Sequence, residues 1–319
     1  MEQLSFFDIE LPPNDFESVS QIFKKNQPLN NEMPGSIENS QPTATTIFEK
    51  ETAAPEKQYF NFARVPDKKY TNHPQIIGKN PTIDGILRLL DKGTYKVGRH
   101  EFLSDLFEMS AIAISNNFDF RQAEEREKIY LSLINKYDKD MQLLIVQVFD
   151  EIYKLLSNQY NPVIGFADHL GEIYMRSETS SSKSGQFFTP YDVSKICAKC
   201  SFNEVTIKKA MEQDKIITLH EPTCGSGGMI IAVADVLYND YHFNISRNLL
   251  VECGDVDKRC VRMAYLQLSL AGIPAVIFQR DGLTLETWER WETPAYIMNY
   301  SRFKNAFRKL PNDWQTERN

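Results

Sequence analysis

Three short apolar runs in the second half of the chain set its pattern. "KIITLHEP" (215–222), "NLLVECGD" (248–255) and "AVIFQRD" (275–281) have strand character. Between them, "GMIIAVADVLYND" and "KRCVRMAYLQLSLAG" repeat apolar residues at helical steps. Strand, helix, strand, helix, strand predicts a parallel sheet with right-handed crossovers. Ligands of such sheets sit at the carboxyl ends of the strands.

The stretch before the sheet has a different texture. From about residue 79 to 176 the period is helical throughout. "NPTIDGILRLLDKG" offers Asn80 as N-cap, Pro81 at the first helical position and Gly93 near the stop. "EFLSDLFEMSAIAIS" carries Leu103, Leu106, Phe107 and Ile112 on one stripe. "KDMQLLIVQVFDEIYKLLSNQ" does the same with Leu144, Val148, Ile152 and Leu155. "VIGFADHLGEIYMRS" reads as a further short amphipathic helix. The predicted organisation is a polar, disordered arm over 1–78, a helical domain over 79–176, and an α/β domain over 177–319. A Ser-rich loop, "SETSSSKSGQ", opens the last of these.

Composition narrows the class. The 319 residues are 42% hydrophobic and 25% charged, with a net charge of −7. That fits a soluble globular protein and excludes a surface that is basic all over. No apolar run approaches the roughly 20 residues that span a bilayer. The start, "MEQLSFFDIE", lacks the basic opening of a signal peptide, so a cytoplasmic location is expected. The five cysteines, Cys197, Cys200, Cys224, Cys253 and Cys260, are expected as reduced core residues. "CAKC" (197–200) has zinc-ligand spacing, and Cys253 and Cys260 are the residues that could complete such a site. The favoured reading has no metal.

Each strand ends in an acidic or glycine-rich feature. Glu221 precedes "CGSGG", where Gly225 and Gly227 let a ligand approach the backbone and Gly228 opens a helix. Asp255 and Asp257 follow the second strand, where an acid suits the two hydroxyls of a ribose. Asp281 follows the third and can accept from an exocyclic amine. No Lys follows the glycine turn, so it is not a triphosphate loop. Together these features describe a nucleoside site.

Four segments in order, "GQFFTP" (185–190), "EPTCGSGG" (221–228), "GDVD" (254–257) and "RDGL" (280–283), resemble the motifs of N6-adenine DNA methyltransferases. The modification subunits of type I restriction systems are the most similar. "DHLGEIYMRSE" is similar to that family's last helix before its phenylalanine–threonine–proline motif. The resemblance implies a truncated Rossmann-like methyltransferase fold with S-adenosylmethionine as cofactor. It places Phe188, Thr189 and Pro190 at the methionine end. Glu221, Thr223 and the turn Cys224, Gly225, Ser226 and Gly227 would hold the amino-acid moiety. Asp255 would take the ribose and Asp281 the adenine amine. It also implies DNA as partner, with a second subunit or a second copy of the chain.

The same resemblance breaks at catalysis. The family polarises the flipped adenine amine with an Asn or Asp, two prolines and an aromatic. No such motif follows Asp281, which stands close to the end of the sequence. "PAYIMNYSRF" (294–303) lies at the right distance. It reads either as a strand ending in a degenerate catalytic pair, Asn299–Tyr300, or, preferably, as a helix with Tyr300, Phe303, Phe307 and Leu310 on one face. That helix would carry a basic flank of Arg302, Lys304, Arg308 and Lys309. The C-terminal helix or a second chain is expected to cover an open sheet edge. The expected function is a cofactor-binding member of the family, which methylates DNA only if a partner or a remade motif completes the target-base site. The alternatives are an inactive regulator, decoy or scaffold, and a methyltransferase for another substrate. Separately, "QLSFFD" resembles the short peptides that dock into bacterial sliding clamps, through Gln3, Leu4, Phe6 and Phe7. The competing reading packs that segment on its own domain.

Overall fold

The computed structural model describes residues 81–93, 97–178, 187–304 and 306. All belong to the unit Phe62–Asn319. The clamp-like segment with Gln3, Leu4, Phe6 and Phe7, the N-terminal arm and Asn80 lie outside the described residues. So do Phe307, Arg308, Lys309 and Leu310.

Among the described residues, seven helices precede the sheet: α1 (Ile83–Gly93), α2 (Arg99–Ser115), α3 (Ala123–Ile134), α4 (Lys139–Ser157), α5 (His169–Glu178), α6 (Tyr191–Ser201) and α7 (Glu204–Glu212). Then come β1 (Ile217–Glu221), α8 (Gly228–Asp235), which runs into a π-helical turn (Val236–Asp240), α9 (Ile245–Asn248) and β2 (Leu249–Asp255). The chain continues through α10 (Lys258–Leu270), β3 (Ala275–Arg280), β4 (Thr287–Glu292), α11 (Pro294–Met298) and α12 (Tyr300–Phe303). The sheet order is β1-β2-β3-β4. β1, β2 and β3 are parallel, as the pattern predicts. β4, which the apolar pattern does not predict, pairs antiparallel with β3.

Helix ends follow local chemistry. α1 starts two residues later than Pro81 suggests, because the Thr82 hydroxyl accepts from Gly85 N at 3.1 Å and takes the cap. Asp138 caps α4, Asn203 caps α7 and Asp257 caps α10, each with a side-chain oxygen on early backbone N–H groups. α3 escaped the sequence reading; of its residues only Arg126, Tyr130 and Ile134 are buried.

The core is built around α10. Every residue from Cys260 to Leu270 is buried, so this helix has no solvent face. The sheet flanks it on one side, and α2, with Phe102, Leu103, Leu106 and Phe107 buried, flanks it on the other. Its buried Arg262 and Gln267 both find partners in the helical part before the sheet. Arg262 is 1% exposed and its Nε and Nη2 donate to Glu108 of α2 at 2.7 and 3.1 Å. The Trp291 ring of β4 has the guanidinium groups of Arg126 and Arg262 over it, at 3.8 and 4.1 Å.

Side chains alternate across β2, so Leu250 and Glu252 face away from Val251 and Cys253. Leu250, Val276 and Phe278 form a cluster with Tyr296 of α11 and Phe303 of α12. The C-terminal helices therefore cover a face of the sheet. This corrects the expectation that they cover an edge: β4 takes the β3 edge, and β1 is the other edge strand, with Thr218 and His220 exposed. It also corrects the strand reading of "AYIMNY". Thr293 Oγ1 accepts from Tyr296 N and Pro294 opens α11, so these residues turn as helix. Arg302 is tied within the fold; its guanidinium donates to Asp214 at 2.9 and 3.1 Å and to the Arg247 carbonyl at 2.8 Å. Among the described residues, no helix is long and apolar enough to cross a membrane.

Two outcomes test this core. Arg262→Ala should lower stability by about 3–5 kcal/mol, because Glu108 is left buried without its guanidinium. Arg262→Met with Glu108→Leu should recover most of that loss in chemical denaturation. Equal destabilisation in the double variant would contradict it. The second concerns Glu252, buried 3.0 Å from Arg280 Nη1 on the face opposite α10. Burial pushes its carboxyl up to about 7, from 4.5, against the pull of Arg280. The folded state then holds the proton that the unfolded chain has released. Stability is lost as pH rises across that window. Relative to Glu252→Gln, the wild type should lose on the order of 1–3 kcal/mol between pH 4 and 8. Parallel stability curves would contradict it.

Candidate functional site

The carboxyl ends of β1 and β2 carry a tight turn. The Cys224 N–H donates to the Gly254 carbonyl at 2.8 Å, which stitches the turn to β2. Gly225 has φ +53° and Gly227 φ +94°, in the left-handed region that glycine tolerates best. A Cβ on Gly225 would stand 3.1 Å from the Phe188 ring, so the bare backbone also makes room for that aromatic. Gly227 caps α8, which starts at Gly228 with its amide groups toward the turn.

Two acids fix the turn from the strand ends. Glu221 Oε1 accepts from the Thr223 N–H at 3.2 Å and the Thr223 hydroxyl at 3.4 Å. Asp255 Oδ2 accepts from Gly225 N at 2.9 Å, and its Oδ1 accepts from Asp257 N at 2.9 Å. Burial raises the Asp255 carboxyl above the usual carboxylate range, and these N–H groups offset part of the rise.

A cavity of about 550 Å³ opens here. Of the residues expected from sequence, Phe188, Thr189, Glu221, Thr223, Cys224, Gly225, Ser226 and Asp255 line it. Three others do not. Pro190 precedes the cavity-facing start of α6 as its N-cap. Gly227 holds the turn from behind, where a Cβ would meet Ala264 at 3.4 Å. Asp281 lies past the end of β3, and its Oδ1 accepts from Leu283 N and Thr284 N, which keeps its pKa low. Asn299 and Tyr300 belong to the helices on the opposite sheet face; Asn299 Nδ2 donates to the Ala295 carbonyl and Tyr300 packs edge-on against Tyr296.

The sequence reading missed Asp168, Phe187, Ser194, Met229 and Cys260, which also line the cavity. Asp168 and Cys260 were hardest to foresee, since they enter from α5 and α10. For Asp168 a signal existed: "DHLG" puts an acid three residues before a helical glycine. Phe187 is 82% exposed at the rim.

The lining has a definite electrostatic character. It holds three carboxyl groups, Asp168, Glu221 and Asp255, with no Lys or Arg among its residues. Such a wall repels phosphates and suits a cation with hydroxyl groups. The two thiols of the lining, Cys224 and Cys260, are held toward the protonated form. The bond with Cys253, together with burial, holds Cys224 well above the usual thiol range, and burial raises Cys260 as well. The expectation that all five cysteines are core residues is corrected for two of them. Cys197 and Cys200 are exposed, because α6 turns Ser194 and Ala198 inward instead. Among the described residues, no group of three or more His, Cys, Asp or Glu side chains is placed to hold a metal ion.

Comparison with known proteins gives a consistent frame. The chain is similar to a Listeria monocytogenes protein assigned to the class I S-adenosylmethionine-dependent methyltransferases, at 14% identity and a TM-score of 0.35, over 64% of this chain and 55% of that one. It is similar to the methyltransferase subunit of a type I restriction-modification system from Streptococcus thermophilus, at 17% identity and a TM-score of 0.33, over 66% of this chain and 41% of that one. The chain thus spans about half the length of these structures. No curated protein matches it. The model of the N-6 DNA methylase family matches residues 166–318, a segment that contains the whole sheet and every residue lining the cavity. Residues 166–318 belong to the N-6 DNA methylase family.

Proposed function

We propose that the cavity binds S-adenosylmethionine and that the chain is the cofactor-bearing part of a DNA adenine-N6 methylation system. The observation that carries this is the charge of the wall: the strand-end carboxyl groups of Glu221 and Asp255, with no Lys or Arg, around a glycine turn. S-adenosylmethionine is a sulfonium with an ammonium group and a ribose diol, and it bears no phosphate. When bound, it supplies an electrophilic methyl group.

The chain's own residues divide the ligand by chemistry. Asp255 is the acid for the ribose hydroxyls, already oriented by the Gly225 and Asp257 N–H groups. Glu221, Thr223 and the Cys224–Gly227 turn face the amino-acid moiety, whose ammonium suits an acidic wall. Phe188 and Thr189 close the methionine end, and an aromatic face there stabilises a sulfonium as it does other cations. Asp281, outside the cavity lining and bonded to Leu283 N and Thr284 N, is left without a ligand role.

The target base needs further residues. Tyr300 packs against the cluster of Leu250, Val276 and Phe278, Asn299 bonds the Ala295 carbonyl, and neither is given a catalytic role. A second subunit, or a second copy of the chain, supplies the adenine-binding residues, with DNA as the methyl acceptor. The inactive alternative shares the cofactor site and differs only in the outcome of a transfer assay.

Calorimetry tests the ligand. Wild-type protein should bind S-adenosylmethionine, and Asp255→Ala should weaken binding by roughly 10–100-fold, the loss of hydrogen bonds to a charged acceptor. Affinity should fall as pH drops through the raised pKa of Asp255, earlier than for an ordinary carboxylate, and Asp255→Asn should flatten that profile. No binding by the wild type would end the reading. Transfer of a labelled methyl group to unmethylated DNA, by the chain alone and with its co-encoded subunit, tests the reaction. Incorporation only with the subunit is expected. None under either condition would favour the inactive reading.

A further inference from the structure

One buried carboxyl group at the cavity belongs neither to the turn nor to the sheet. Asp168 is 8% exposed and precedes α5, so it reaches the site from the helical part of the chain. Its Oδ1 accepts from Gly171 N at 3.0 Å and from Gln267 Nε2 of α10 at 2.8 Å. Its Oδ2 accepts from the Ser226 hydroxyl at 2.5 Å. Gln267 Nε2 also donates to the Ser226 carbonyl at 2.7 Å, and its Oε1 accepts from Leu170 N at 3.3 Å.

Two glycines are needed for this arrangement. A Cβ on Gly171 would stand 2.1 Å from Asp168 Oδ2, and one on Gly228 would stand 2.6 Å from it. α5 and α8 have each given up a side chain so that the carboxyl group can enter between them. Ser226 lies between the two left-handed glycines, the part of the turn with the least conformational restraint of its own. From the sheet side, Asp255 holds Gly225. From the helical side, Asp168 holds Ser226.

We propose that Asp168 is the positioning residue of the cofactor turn. It clamps Ser226 through its hydroxyl and, by way of Gln267, through its carbonyl, so that the docking of α5 on α10 sets the shape of the ligand loop. The claim that this shape serves S-adenosylmethionine rests on the function proposed above; the clamp itself does not.

The experiment pairs two readouts on the full chain. The first is hydrogen exchange of the 222–229 backbone amides without ligand. The second is the calorimetric affinity for S-adenosylmethionine. Asp168→Ala and Ser226→Ala should speed exchange in the turn by about 10-fold or more, as local opening loses its anchor. Asp168→Ala should also weaken binding about 10-fold. Asp168→Asn should stay within about 3-fold of wild type in both, because Oδ1 still accepts and the amide can donate to the Ser226 oxygen. Asp105→Asn is the control: this buried acid bonds Lys136 and Tyr137 far from the turn, and it should lower the melting temperature without changing exchange at 222–229. Turn exchange in Asp168→Ala equal to that of the control would overturn the proposal. So would an Asn variant that loses affinity with the turn unperturbed, since Asp168 would then act on the ligand by its charge. If the wild type binds no S-adenosylmethionine but the exchange pattern holds, the clamp stands and the ligand assignment falls.

Discussion

A helix with no solvent face imposes the constraint on which this structure depends. α10 is buried along its whole inner length, between the sheet and α2. On such a helix a buried charge or amide is costly unless the protein itself supplies its partner. Arg262 finds Glu108, and Gln267 finds Asp168, Leu170 and Ser226. Both sets of bonds reach from the sheet layer into the helices before it. The helical part is thus more than a neighbour of the ligand loop. Its residues complete the loop's hydrogen bonding, and the shape of the cavity depends on how the two layers meet.

Much of this was legible in the sequence because the strands are buried. Strands covered on both faces read as unbroken apolar runs, and so β2 and β3 came through; β1, half exposed at the edge, came through by the glycine turn that follows it. β4 did not. "TWERWE" shows no two-residue alternation, and its polar positions are filled by Glu and Arg that pair within the fold: Glu292 with Arg121 and Arg290, and Glu289 with Arg262. Charged residues that end in buried pairs look, in a sequence, like charged residues on a surface. α3 was missed for a related reason, since it buries few residues and one of them is Arg126.

The site divided along the same line. Residues contiguous with the glycine turn were found, because backbone conformation leaves its mark in glycine and in the acids at strand ends. Residues that arrive from elsewhere were not. Asp168 and Cys260 stand far from the turn in sequence and reach it through tertiary packing alone. Asn299 shows the reverse error. It has the right residue type at a plausible distance along the chain, yet a threonine cap and a proline start a helix that ends at Asn299, whose side chain turns back onto the Ala295 carbonyl.

The thiols separate into two populations that a chemist could use. Cys197 and Cys200 face water on α6, one turn apart, while Cys224, Cys253 and Cys260 sit in the interior, with Cys224 and Cys260 held in their protonated form. A maleimide or a mild oxidant would mark α6 and spare the wall of the cavity. The protein thus carries its own reporter handle next to, and chemically insulated from, the place where a ligand would enter.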